Sequence, residues 1–419
     1  MPSLHVPRPR ITNIVVGDID DGVFDNLDGL IELKLPYEGI GFDPSEAFET
    51  IKIWQPNELY NEGSKAWNSP LHAKSLSFGN YAARLNFANG VSHFLNDICE
   101  IVAPLGGELR RGKSTRLYQV LPSSTQRPYL ALVDCDKDDP SKQQHLAVIE
   151  FDYEPNWDRM VLTRLSQRAQ RIFKKQPDRR FVLTAVMSHC TVFLAVFNRA
   201  GLFISRSVDM NKDPERFIRI IVGLLTADRK TLGFDSTMFY TRVGEDPCER
   251  FLVINGKRYT ILDLLYTEQV IRGRGTACLK VRDCDDESRT LVVKDAWIFS
   301  NAPLSEAAIL ERLKTVEGIS RLEAVEHMKV VNSVGELVAD ATYCDLYQLR
   351  GLVADKTLDS HCRLFDCRHH VRILLSPCGS PLVSFRSLRE LVAALKDVVD
   401  GTQVALSHRT LADFPHHSN

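Results

Sequence analysis

The tract FVLTAVMSHCTVFLAVF, Phe181 to Phe197, is the longest apolar run in the chain, and what it folds into decides much of the architecture. Ser188, His189 and Thr191 interrupt it, whereas a membrane-spanning helix needs about 20 consecutive, predominantly apolar residues. Two strand-length runs on either side of a polar break read as adjacent strands. A third run, GLFISRSV, follows a hairpin turn at Asn198 to Gly201. Upstream, QQHLAVIEFDY reads as a strand ending near Tyr153. After it, WDRMVLTRLSQRAQRIFKK spaces Met160, Val161, Leu165, Ala169, Ile172 and Phe173 as one helix face, with the arginines on the other. Downstream, DPERFIRIIVGLLTA offers Asp213 as a helix cap and Pro214 in the first turn. Strand, helix, three strands, helix is one α/β domain, assigned to residues 91–250. Residues 1–90, rich in Asn, Asp, Gly and Pro, read as an irregular amino-terminal region.

Composition narrows the function classes. With 419 residues, 44% apolar and 25% charged, the chain is an ordinary globular protein of two or three domains. A net charge of −2 without a dense basic stretch argues against a nucleic-acid partner. The start of the chain has no apolar run of signal-peptide length, and no stretch suits a membrane. The 10 cysteines are scattered, as suits a reducing intracellular compartment, cytoplasmic or nuclear.

Three motifs invite chemistry and fail on context. GGELRRGKST, Gly106 to Thr115, has P-loop spelling, with Gly107 and Gly112-Lys113-Ser114. A P-loop needs a strand before it and a helix after it. CEIVAPL, Cys99 to Leu105, reads as a strand, but Pro122 and the Ser-Ser-Thr cluster that follows leave no room for a crossover helix. The motif reads as a basic surface loop. RPYLALVD followed by VIEFDY suggests an endonuclease-like metal site, with Glu150 in place but Asp152 where a lysine is required, so a structural role is expected. HCRLFDCRHH gathers His361, Cys362, Cys367, His369 and His370, but ligands crowded into ten residues seldom close a zinc tetrahedron, and a structural role is expected again.

The informative stretch follows Arg258. VIRGRGTACLKVRDCDDESRTLVVKDAW gives a turn at Gly273 to Gly275, a strand through Leu279 and Val281, an acidic turn, and a second strand ending at Lys294. Glycines let backbone approach phosphates, and a lysine on a following strand can reach their oxygens. Such a lysine needs an anchoring carboxylate. LSEAAILERLKTVEGISRL supplies Glu306 in the first turn of a helix capped by Ser305, 12 residues after the lysine, with Ala308, Ile309 and Leu313 toward the sheet.

In this order, Gly273-Arg-Gly275-Thr276, VVKDAW, SEAAIL, HHVRILLSPCGSPL and FRSLRELVAALKDVVDG resemble the small lobe and first large-lobe helix of the fungal-type protein kinase family. NRAGLFISRSVD and RFIRIIVGLLTADRKTLGFDSTM resemble the domain that precedes the kinase in that family. The resemblance spans roughly residues 147–401. It implies that Lys294 contacts the α- and β-phosphates of ATP, that Glu306 is its helix partner, and that Leu374 to Gly379 form the hinge beside adenine. The third loop glycine is missing, with Ala277 or Cys278 near its place.

The expected fold class is mixed, α+β or α/β: the α/β domain, then a truncated protein-kinase-like domain over residues 258–419. The tail carries His408-Arg409-Thr410-Leu411, with Thr where the catalytic aspartate belongs, and Asp413-Phe414-Pro415 in imitation of the magnesium motif; complete kinases separate those motifs by well over a helical turn, so both read as coincidences of a divergent tail, and the catalytic base is absent under either alignment. ATP binding is therefore expected to be weak, magnesium is not expected to be held, and no catalytic residue is assigned. Two function classes stay open: a kinase-family enzyme of which this is a fragment, and a silent relative that works by interaction. The helix Leu388 to Val399 carries Leu388, Leu391, Val392, Leu395, Val398 and Val399 as one apolar stripe, so a protein partner or self-association through it is expected.

Overall fold

The computed structural model describes residues 19, 22–54, 58–72, 80–102, 105, 114–122, 127–136, 143–152, 159–241, 249–299, 305–332, 335–342 and 367–407. They form two compact units. The first comprises residues 1–236, 269–273 and 342–366, and the second residues 237–268, 274–341 and 367–419.

The first unit is a mixed sheet with helices on both faces. In chain order its elements are β1 (Val23–Leu27), α1 (Leu30–Lys34), α2 (Tyr37–Ile40), α3 (Pro44–Ile53), the short pair β2 (Tyr60–Asn61) and β3 (Ala66–Trp67), and α4 (Tyr81–Val102). There follow β4 (Ser114–Leu121), β5 (Tyr129–Asp136), β6 (Gln143–Asp152), α5 (Arg159–Lys175), β7 (Val182–Ser188), β8 (Thr191–Asn198), β9 (Gly201–Ser205), β10 (Val208–Asp209) and α6 (Pro214–Thr226). The strand order is β1-β9-β8-β7-β6-β5-β4, with β10 beside β8. β6 and β7 run parallel across α5, while β7, β8 and β9 form an antiparallel meander. Helix α5 covers one face, and α3, α4 and α6 contribute to the core on the other. The central strands are buried on both faces, so Phe181 to Phe197 reads as nearly unbroken apolar sequence rather than as an alternation.

Local signals explain the elements that the sequence announces. Asp213 caps α6 by accepting the Arg216 N–H at 3.2 Å, with Pro214 in the first turn. The Asn198 side chain accepts the N–H groups of Ala200 and Gly201 and closes the β8–β9 turn. Gly201 is required there: its φ is +146°, and a Cβ would lie 2.0 Å from the Gly22 carbonyl oxygen.

Several readings are corrected. Residues 1–90 are not irregular where they are described, since α1, α2 and α3 bury Leu30, Ile40, Ala47 and Ile51 in the larger core. Cys99 to Val102 are the last turn of the 22-residue helix α4, not a strand. A short apolar window does not distinguish the two. Ser114 opens a strand paired antiparallel with β5 rather than a helix, so P-loop topology is absent there, while Gly107, Gly112 and Lys113 lie outside the described residues. On α5, Arg164 and Arg168 do not face water. Both are buried and both bond to the Glu150 carboxylate, Arg164 at 3.3 Å. Glu150 thus holds α5 to β6, as its structural reading expected.

The second unit is an antiparallel sheet of β11 (Met238–Thr241), β12 (Glu249–Ile254), β13 (Lys257–Thr267), β14 (Ala277–Asp283), β15 (Thr290–Phe299), β16 (Arg321–His327) and β19 (Arg368–Ser376). Its order is β11-β12-β13-β14-β15-β19-β16. Helix α7 (Glu306–Arg312) lies between β15 and β16 in sequence and packs on β16. A separate hairpin, β17 (Lys329–Val331) and β18 (Leu337–Ala339), separates β16 from β19, and helix α8 (Leu388–Ser407) ends the described chain. Strand β15 runs five residues beyond Lys294 to Phe299, so the lysine sits mid-strand rather than at its end. Among the described residues no helix is long and apolar enough to cross a membrane.

Candidate functional site

Strand alternation gives β15 two chemically distinct faces. Val292, Lys294, Ala296 and Ile298 share one, and Leu291, Val293, Asp295 and Trp297 share the other. The first face borders a shallow pocket that also takes in Ser305, Glu306, Val325, His327, Val371 and Ile373. Its floor is aliphatic, with an ammonium and a carboxylate at the rim.

That ammonium and carboxylate are already paired. Lys294 Nζ donates to Glu306 Oε1 at 2.8 Å and to Oε2 at 2.5 Å. The pair forms because β15 aims Lys294 at the helix that follows, and the Ser305 hydroxyl, accepting the Ala308 N–H at 3.2 Å, fixes where that helix starts. Beyond the first turn, Ile309 packs with buried Leu313 and Val316, which seats the helix. Cys278 stands opposite Lys294 in the β14–β15 register. Burial pushes its thiol pKa up, while Lys294 pulls it down and Glu306 adds to the rise.

Gly273 and Gly275 both have positive φ, +142° and +51°, so the turn between β13 and β14 uses glycine for its conformational freedom. Gly273 belongs to the segment 269–273 of the first unit, where its N–H donates to the Arg199 carbonyl at 3.1 Å. In the same segment, Arg199 Nη1 donates to the Val270 carbonyl at 2.7 Å, and Ile271 is fully buried among the residues beneath α5. Gly275 belongs to the second unit. The turn is closed there by reciprocal bonds between Glu268 and Thr276, backbone to backbone at 2.8 Å and Thr276 N–H to the Glu268 carboxylate at 3.0 Å.

A glycine turn, a lysine on the third strand counted from β13, and a glutamate on the next helix is the order that protein kinases use to hold nucleotide phosphates. A profile of the fungal protein kinase family matches residues 134–411, more than half of the chain. The chain belongs to the fungal protein kinase family. No curated protein and no solved structure matches it.

An ammonium has three donors. Two of Lys294's go to Glu306 and one remains for an anion. Glu306 is the one carboxylate among the described residues lining the pocket, and both its oxygens are engaged by Lys294. The tail motifs His408-Arg409-Thr410-Leu411 and Asp413-Phe414-Pro415 lie outside the described residues.

The second face of β15 carries a charge network that the sequence reading missed. His370 on β19 bonds through Nε2 to Asp295 at 2.6 Å and through Nδ1 to Asp340 at 3.0 Å. Arg372 Nη2 donates to the other Asp295 oxygen at 2.9 Å, and Trp297 stacks on the imidazole at 4.7 Å. All four charged groups are buried. Burial alone would push the imidazole down, but the two carboxylates override it and raise His370 to about 9. Burial likewise opposes ionisation of Asp295, yet Arg372 and His370 hold it well below the usual carboxylate range. The signal in the sequence was the period of two, which puts Asp295 in line with Leu291 and Val293, and His370 and Arg372 in line with Leu374. As to zinc, His361 and Cys362 lie outside the described residues, and adjacent His369 and His370 point to opposite faces, the latter committed to carboxylates.

Proposed function

We propose that this chain carries a kinase-type nucleotide pocket of low affinity and does not itself transfer phosphate. The observation that carries the reading is the Lys294–Glu306 pair at 2.5 Å and 2.8 Å at the rim of an aliphatic pocket. Lys294 contacts the α- and β-phosphates, Glu306 holds the lysine in place, and Gly273 and Gly275 shape the adjoining turn.

The domain plan that goes with this reading is the α/β domain followed by a kinase-like domain. Phosphoryl transfer in protein kinases needs an aspartate beside the substrate hydroxyl, and an asparagine and a second aspartate on magnesium. The near match to the first, His408-Arg409-Thr410-Leu411, carries threonine there and reads as a coincidence of a divergent tail, so no residue is assigned that role. No phosphoryl transfer is proposed for the chain for that reason, and it acts by binding, inside the cell. Incubation with radiolabelled ATP and an added protein acceptor tests the second half of the proposal. The expected result is no labelled acceptor, and label that disappears in Lys294→Met would overturn it.

A further inference from the structure

The face of β15 that carries Lys294 continues onto β14. Cys278 stands opposite Lys294 and Lys280 opposite Val292, so Lys280 and Lys294 rise from the same face of the sheet as diagonal neighbours. Such positions on adjacent antiparallel strands lie about 7–8 Å apart, within reach of two long side chains. The other face is committed to the core through Leu279, Val281, Leu291 and Val293, whereas Lys280 is half-buried on the open one. Among the described residues Lys280 makes no ion pair. The carboxylate directly across from it, that of Asp263 on β13, accepts the Leu264 N–H at 2.8 Å instead. Arg282, two residues along the same face, also makes no ion pair among the described residues. Of these three cations only Lys294 is neutralised, by Glu306.

We propose that Lys280 is a second phosphate-binding residue, and that the face it shares with Lys294 takes a di- or triphosphate chain in preference to a monophosphate. The inference rests on the nucleotide reading of Lys294 and adds what the site discriminates. Two ammonium groups side by side, Lys294 with one donor left and Lys280 with three, match an anion that carries charge on successive groups rather than at one point. One phosphate meets Lys294 and the next meets Lys280. Removing the second phosphate or the second ammonium therefore removes the same charge-assisted bond, worth about tenfold in affinity at a half-exposed position.

Phosphorus NMR titration of the full chain with ATP, AMP and inorganic tripolyphosphate tests the inference. ATP is expected to bind about tenfold more tightly than AMP. Tripolyphosphate as tight as ATP assigns the preference to the chain of phosphates alone, and tripolyphosphate weaker than ATP assigns it to a chain carried by a nucleoside; either supports the proposal. Lys280→Met, which keeps the aliphatic stem on the strand, should weaken ATP about tenfold and leave AMP within about twofold, while Lys280→Arg should stay within about threefold of the parent for ATP. AMP as tight as ATP, a result that needs no variant, or ATP binding that Lys280→Met leaves unchanged would overturn the proposal. Lys294→Met separates the two readings. ATP binding that survives Lys294→Met but falls in Lys280→Met removes Lys294 from the site and keeps Lys280, whereas binding lost in Lys294→Met and unchanged in Lys280→Met does the reverse. A chain that binds none of the three probes overturns both.

Discussion

Lys294 and Asp295 are neighbours in the chain and serve opposite faces of the same strand. Lys294 reaches Glu306 at the pocket rim, while Asp295 is buried between His370 at 2.6 Å and Arg372 at 2.9 Å. The buried face fixes the strand and its neighbour β19, which sets the position from which the lysine is presented. Substitutions at the two residues should therefore separate cleanly. Lys294→Met should leave stability within about 0.5 kcal/mol, since a partly exposed ion pair contributes little. Asp295→Asn should cost about 3–5 kcal/mol by removing the buried carboxylate charge that Arg372 and His370 share. Urea denaturation of the two variants beside the parent measures both.

Stability should also depend on pH through His370. Its folded value, about 9, lies above the ordinary imidazole value of 6.5, so the folded state binds the proton more tightly. The contribution is fully present below pH 6.5 and is lost as pH rises through about 9. Its size is on the order of 3 kcal/mol. Thermal melts of the parent should fall across that window, and melts of His370→Gln, which no longer titrates there, should be flatter. Asp295 contributes in the opposite sense: its depressed pKa supplies stability above the usual carboxylate range that is lost only in strong acid.

Glu150 should prove structural rather than catalytic. It is 1% exposed and bonded to both Arg164 and Arg168, so Glu150→Ala removes the buried carboxylate that the two guanidinium groups share. A loss of about 3–5 kcal/mol is expected in chemical denaturation, with no metal-dependent nuclease activity in parent or variant.

What the sequence disclosed follows from the range of the interactions involved. The β7–β8–β9 meander, the cap at Asp213 and the placement of Glu306 one helix start after Lys294 depend on neighbours within a dozen or so residues, and periodicity or capping reveals them. The helices before residue 90 are short, and they are held by packing against α6 and the sheet, which no local pattern records. Helical periodicity puts the α5 arginines on the face opposite the apolar stripe, whereas Glu150 on β6, paired with Arg164 and Arg168 across 14 and 18 residues, draws those two inward. The Asp295–His370–Arg372 set spans 75 and 77 residues and joins two strands adjacent only in the folded sheet. For the glycine turn, the spelling showed the positive φ at Gly273 and Gly275 but not that the Gly273 amide is donated to Arg199.

The central claim, that Lys294 anchored by Glu306 is the phosphate contact of a weak nucleotide pocket, is tested most directly by calorimetric titration of the full chain and of Lys294→Met with MgATP. The account predicts a parent affinity in the millimolar range, about −4 kcal/mol, and no measurable heat for the variant. Micromolar affinity that Lys294→Met leaves untouched would place the nucleotide elsewhere and contradict it.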